Sequence, residues 1–194
     1  MTRGPSRTVV LPAALCIIGA LCIGQAGWIH AKAWLAQRLI VDAFDRAVAG
    51  EPAPRPWPWA DTEPVARLHL PGTADPLVVL SGASGRNLAF GPTHDPSSVR
   101  PGEPGNSIFA GHRDTHFAPL AGVSLGDTLL VERVDGRQAR FTVRALDIVD
   151  SRRWRIRLDA DQPMLLLVTC YPFDAVDPSG PLRFVVTAES SGEL

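Results

Sequence analysis

Cysteine is scarce here, with three in 194 residues, and so are tyrosine (one) and methionine (two). Neither sign of charge prevails: 19 Lys and Arg face 20 Asp and Glu, a net charge of −1. Without a basic excess the chain lacks the electrostatic footprint of nucleic-acid binding, and no nucleic-acid partner is expected. Two of the cysteines, Cys16 and Cys22, lie in an apolar N-terminal stretch. On one helix they cannot reach the Cα spacing and facing geometry of a disulfide, and they read as small apolar residues. No disulfide framework is left, so the fold must rest on its own core. About 130 residues beyond the N-terminal region suffice for that. Histidine is also thin. Outside His112 and His116, the others (His30, His69, His94) stand singly, and no second Cys/His cluster completes a metal site.

What the chain does have is apolar content, 45% of residues, which excludes a disordered chain. Its 18 prolines and 17 glycines follow no repeat and mark many turns. Arg3 and Arg7 precede an apolar run from Val9 to Ile29, broken only by Gln25. At about 1.5 Å per residue it can cross a ~30 Å hydrocarbon core. Trp28 falls where an interfacial aromatic belongs. Ala31-Lys32-Ala33 has the form of a signal-peptidase site, but the run exceeds a usual signal core and a retained anchor is expected. Leu15 and Leu21 stand where a lipobox needs a small residue. The division expected is 1–30 for a cytoplasmic tail and transmembrane signal-anchor, 31–60 for an amphipathic helix and Pro/Trp-rich linker, and 61–194 for the main folded domain, outside the cytoplasm. In the second part Ala36, Ile40, Ala43, Phe44 and Ala47 share a helical face. Arg38–Asp42 and Asp42–Arg46 are i,i+4 pairs, and Trp57 and Trp59 are expected to pack on the domain or on headgroups.

From Val65 the periodicity changes to that of strands. Val65–Leu70, Leu77–Leu80, Ser107–Arg113, Asp127–Val134, Gln138–Val149, Met164–Cys170 and Leu182–Ala188 are the candidates. Asp135-Gly136 between two of them is a strong hairpin signal, and Asn87–Phe90 is a possible helical turn. Short strands with little helix predict a mainly β fold, a closed barrel or sandwich.

The chemistry centres on Leu165-Leu166-Leu167-Val168-Thr169-Cys170, an apolar strand that delivers the chain's remaining cysteine to a rim and is stopped by Pro172. A lone thiol in an exported domain is a candidate nucleophile, the alternative being an inert buried cysteine. It needs a proton donor and acceptor and an oxyanion donor. His112 can supply the first and Arg183 the second. Leu182, Phe184 and Val186 share one strand face, so Arg183 points to the other; a surface arginine is the plainer alternative. His112, Asp114 and His116 at alternate positions of a strand would form half of a zinc site, and simple structural histidines are a third reading.

Asn106–Asp114, Leu167-Val168-Thr169-Cys170 and Arg183 together resemble the signature of the sortase family. Gly82–Arg86, Gly111–Phe117 and Thr169–Phe173 are similar to its proteobacterial branch. The resemblance implies a sortase-like closed β-barrel of about eight strands with short helices, behind an N-terminal transmembrane helix. It implies a cysteine transpeptidase with catalytic His112, Cys170 and Arg183 and no cofactor. The substrate would be a secreted protein with a C-terminal LPXTG-like sorting signal, one dedicated target, cut between Thr and Gly through a thioester on Cys170. An amine acceptor would take the acyl group. Two alternatives remain: a cysteine hydrolase that releases its target, and a non-catalytic membrane-tethered binding module.

Overall fold

The structure is a computed structural model and describes residues 7–82, 84–175, 177 and 180–193. The expected cytoplasmic tail, residues 1–6, lies outside the described residues, as does Ala83 of the Gly82–Arg86 string. The chain falls into two compact units, Met1–Arg38 and Leu39–Leu194.

Helix α1 runs Arg7–Val48. The part from Leu15 on is long and apolar enough to cross a membrane, with a mean hydropathy of 1.3 over its best window, by length and composition alone. A signal sequence passes the same test. Within the first unit, Arg38 lies over the Trp34 ring (5.3 Å to its centroid). Within the second unit, the expected Asp42–Arg46 pair forms at 3.0 Å. In the second unit, Ile40 and Phe44 at the end of α1 bury themselves against Val78 and Leu80, with Trp57 packed alongside. Arg67 sits over the Phe44 ring at 4.2 Å and pairs with Asp45 at 2.7 Å and Glu132 at 3.2 Å. Of the linker tryptophans, Trp57 packs edge-on to Phe90, whereas Trp59 is exposed.

Eight strands then close a barrel. They are β1 (Pro64–His69), β2 (Leu77–Ser81), β3 (Thr93–His94), β4 (Gly105–Ala110), β5 (Thr128–Arg133), β6 (Gln138–Asp150), β7 (Pro163–Cys170) and β8 (Leu182–Glu193). Around the barrel their order is β1-β2-β3-β4-β7-β8-β6-β5, and β5 pairs back to β1. Helix α2 (Gly85–Leu88) is capped by the Ser84 side chain, which accepts from the Asn87 amide, and a 3-10 turn spans Ala118–Gly122. The Asp135-Gly136 signal is the β5–β6 hairpin, with Gly136 at φ 79°, a value glycine adopts without steric cost. Closure removes the unpaired edges that an open sheet would expose.

The two-residue β3 was not legible, because a strand that short has no period. Strand β4 stops at Ala110, short of the expected Arg113. The amides of Thr115 and Phe117 turn back to the His112 carbonyl (3.4 and 3.0 Å), so the chain leaves the sheet there. Strand β8 runs past the expected Ala188, because β6 continues to pair with it as far as Ala139–Glu193.

The barrel interior is filled by Leu68, Val79, Phe109, Leu129, Phe141, Leu165, Leu167 and Val186 among others. A second apolar layer lies on the outer face, where Ile108, Leu166 and Val185 are covered by Trp154 and Ile156 from the β6–β7 connection. Leu165 and Leu167 therefore point inward and Leu166 outward. This explains why that stretch reads as an unbroken apolar run: both faces of this part of the sheet are buried.

Candidate active site

Strands β4 and β7 run parallel, with Ala110 opposite Val168. The pairing extends one step further, the Gly111 amide donating to the Val168 carbonyl at 3.1 Å. The Thr169 hydroxyl, fully inside, then donates to the Gly111 carbonyl at 2.7 Å. Two residues beyond the Ala110–Val168 pair stand His112 after β4 and Cys170 at the end of β7. On the opposite flank β7 pairs antiparallel with β8, and Cys170 lies directly across from Arg183. The side-chain period of two puts Phe184 and Val186 into the core and Arg183 on the outer face.

The result is one small cleft of about 210 Å³ lined by Leu88, Ala110, Gly111, His112, Val168, Thr169, Cys170 and Arg183. The three residues singled out in the sequence thus line a common wall, Cys170 half-buried between an exposed His112 and a half-buried Arg183. The Arg183 Nη1 donates to the carbonyls of Gly180 (2.7 Å) and Leu182 (2.8 Å), which hold the guanidinium beside the strand end. The Tyr171–Pro172 peptide that follows the cysteine is cis.

Gly111 is required by space, since its φ is outside the left-handed range. A Cβ there would lie 2.7 Å from Cδ2 of the buried Phe117 ring. Phe117 in turn donates its amide to the His112 carbonyl, so ring, glycine and histidine form one tight turn. Because that turn is not a strand, His112, Asp114 and His116 do not alternate on a sheet face. Among the described residues no three His, Cys, Asp or Glu side chains come together as a metal site. His116 is half-buried, and its pKa is lowered from 6.5, first by burial and then by the charge of nearby His112.

A groove of about 460 Å³ adjoins the cleft, sharing Val168 and Arg183 with it. Ile108, Trp154, Ile156 and Leu158 supply its apolar lining and Arg155 and Asp95 its charge. The wall comes from the β6–β7 connection, whose first turn is fixed by Arg152 pairing with Asp150 at 2.7 Å. The Arg152 side chain and then its backbone amide pull the Asp150 carboxyl down to about 2. Sequence reasoning passed over this wall. The signal was Trp154, Ile156 and Leu158 alternating with Arg153, Arg155 and Arg157, a strand period in a segment that forms no strand. It also passed over Arg113 and Thr169 as individual residues.

A family model described as the Sortase domain matches residues 68–191. "Sortase D" of Bacillus subtilis is 29% identical over 119 residues, 61% of this chain. The chain spans 60% of the length of that relative. Among solved structures, sortase C-1 from Actinomyces oris is 25% identical with a TM-score of 0.57, covering 67% of this chain and 76% of its own. A Clostridium perfringens Sortase D5 transpeptidase shares the fold with a TM-score of 0.63 at 15% identity, over 81% of this chain and 99% of its own. These relatives come from Gram-positive genera, which corrects the proteobacterial branch expected from the short strings. The physical reason lies in the strings themselves. Gly111, Phe117 and Thr169 are dictated by packing and hydrogen bonds within the cleft, so they report the site and not the lineage. By the extent of the matched domain, this chain belongs to the sortase family.

Proposed function

We propose that this chain is a membrane-anchored cysteine transpeptidase that cuts an LPXTG-like sorting signal between Thr and Gly and passes the acyl fragment to an amine. The observation that carries the reading is the placing of Cys170 across from Arg183 in register, in one cleft with His112. The Cys170 thiol passes its proton to His112 as the sulfur attacks the threonine carbonyl; a C–S bond forms, and the negative charge that develops on oxygen is met by the Arg183 guanidinium. The C–N bond then breaks, and the glycine nitrogen leaves with a proton from His112. An incoming amine gives a proton to His112 and attacks the thioester; an amide C–N bond forms, the C–S bond breaks, and the sulfur leaves with the proton from His112. The apolar groove beside Val168 takes the apolar residues of the signal, leaving its threonine at the cleft.

Helix α1 anchors the enzyme, with the catalytic unit outside the cytoplasm, where secreted proteins pass. Residues 1–30, 31–60 and 61–194 serve as anchor, connector and catalytic domain in this reading. The partners are then a secreted protein bearing the signal, the amine acceptor and the membrane.

Product analysis tests the proposal against the hydrolase alternative. Detergent-solubilised full chain is incubated with an LPXTG-like peptide, with and without an amine such as triglycine. Transpeptidation predicts a peptide joined to the amine at the expense of free acid. Free acid alone, whatever the amine concentration, would make the protein a hydrolase, and an untouched peptide would favour a binding module.

A further inference from the structure

Arg113 directly follows His112, and its side chain is only 4% exposed. A guanidinium stays charged at any physiological pH, and burying it is unfavourable unless its N–H groups are met. Here they are met mainly by main-chain carbonyls of one distant segment. Nη1 donates to Pro172 at 2.8 Å, and Nη2 to Ala175 at 2.7 Å and Asp177 at 3.3 Å. Nε donates to the Asp114 carboxylate at 3.0 Å. That carboxylate is 67% exposed, so the ion pair is screened and gives little reason to bury a charge. The reason must lie in the carbonyls, and all of them belong to the stretch that leaves Cys170.

The links between the two strands show what this achieves. Before the reacting residues, Gly111 and Thr169 tie β4 to β7. Past them the strand pairing of β4 with β7 has ended, and Arg113 is the next connection described. His112 and Cys170 are therefore bracketed, by two hydrogen bonds on the near side and the Arg113 fork on the far side. We propose that Arg113 is a positioning residue, which fastens segment 172–177 to the His112 turn and so holds His112 and Cys170 in the mutual placement that acyl transfer needs. The inference rests on the transpeptidase reading above. It adds a residue that touches neither the signal nor the sulfur. A fork is needed because three carbonyls pointing from different directions suit a planar group with several fixed donors, which a lysine does not provide.

The test compares full-length chains carrying Arg113→Met, Arg113→Lys and Asp114→Asn with the unsubstituted protein. Hydrogen exchange over residues 172–177 reads the fastening directly. Acylation by an LPXTG-like peptide gives kcat and KM, and iodoacetamide alkylation of Cys170 reads the thiol without substrate. Arg113→Met is expected to speed exchange in 172–177. It should also lower kcat by about 10²-fold, the effect of misplacing a reacting group by roughly 1 Å. KM is expected to hold, because the groove is untouched, and alkylation should persist. Arg113→Lys should fail to restore kcat, and Asp114→Asn should leave it near its starting value. If Arg113→Met does not fold, Arg113→Lys carries the same comparison. A normal kcat for the folded protein, or a loss explained wholly by lower stability, would overturn the proposal. If the unsubstituted chain accepts no peptide, the functional reading fails and this one with it, while exchange in 172–177 still reports whether Arg113 fastens the segment.

Discussion

Replacing Gly111 by alanine adds one methyl group where the structure has no room for it. The new Cβ would stand 2.7, 2.8 and 3.1 Å from three ring carbons of Phe117. Carbons rest about 3.5–4.0 Å apart, so roughly 1 Å of displacement is required. The ring has no easy retreat. Phe117 is fully buried among the main core residues, and its backbone amide is bonded to the His112 carbonyl at 3.0 Å. Overpacking of this kind costs about 1–3 kcal/mol. Part of the displacement must pass into the His112 turn, where about 1 Å is enough to lower a rate by about 10²-fold. Urea unfolding gives the stability loss, and thioester formation gives the rate. Phe117→Leu, which shortens the offending ring, should recover part of both losses when combined with Gly111→Ala, so the two effects will not add. A Gly111→Ala chain with unchanged urea midpoint and full rate would refute the packing argument, as would strict additivity in the double variant.

Three further outcomes follow from the same geometry. Thr169→Val removes the hydroxyl that meets the buried Gly111 carbonyl, and should destabilise by about 1–3 kcal/mol in urea unfolding; a neutral result would mean that this bond does not join the strands. Trp154→Ala strips an apolar wall from the groove and should raise KM about tenfold, equivalent to about 1.4 kcal/mol, while Cys170 alkylation is unaffected; an unchanged KM would place the signal elsewhere. His116 has a lowered pKa in the folded state, chiefly because it is buried. Its contribution to stability is therefore present above pH 6.5 and lost as pH falls through the folded value. His116→Gln should flatten the decline of the urea midpoint below pH 6.5, and an identical decline in both proteins would contradict the assignment.

Much of the fold could be read from the chain, for reasons that differ between elements. The β5–β6 hairpin was legible because Asp135-Gly136 imposes a turn that few other pairs tolerate. Strand β7 was legible from its apolar run and the proline after it, although the run itself reflects a second buried face that one sequence cannot reveal. Arg183 could be assigned to the outer face by period alone. The end of β4 could not, because it is set by the Phe117 ring lying on Gly111, a contact between residues whose local pattern favours continuing the strand. Likewise, the two-residue β3 exists only through its neighbours. Trp154 and Ile156 carried a readable period, but their role depends on lying over Ile108 and Leu166 from other strands. Arg113 looked like one more charged residue in a polar turn. Three of its hydrogen bonds go to carbonyls of a segment some sixty positions later, and no local pattern announces that. The lineage went astray for a related reason, since short strings around a site are held by its packing.

The central claim concerns one sulfur atom, and mass spectrometry of the full-length protein addresses it most directly. Mixed with an LPXTG-like peptide and no amine, the chain should gain the mass of the fragment ending in threonine, located by digestion to Cys170 and removed by adding an amine. Cys170→Ala should gain nothing. A stable, folded protein that shows no such adduct with any signal of this type, or one whose adduct survives in Cys170→Ala, would contradict the account.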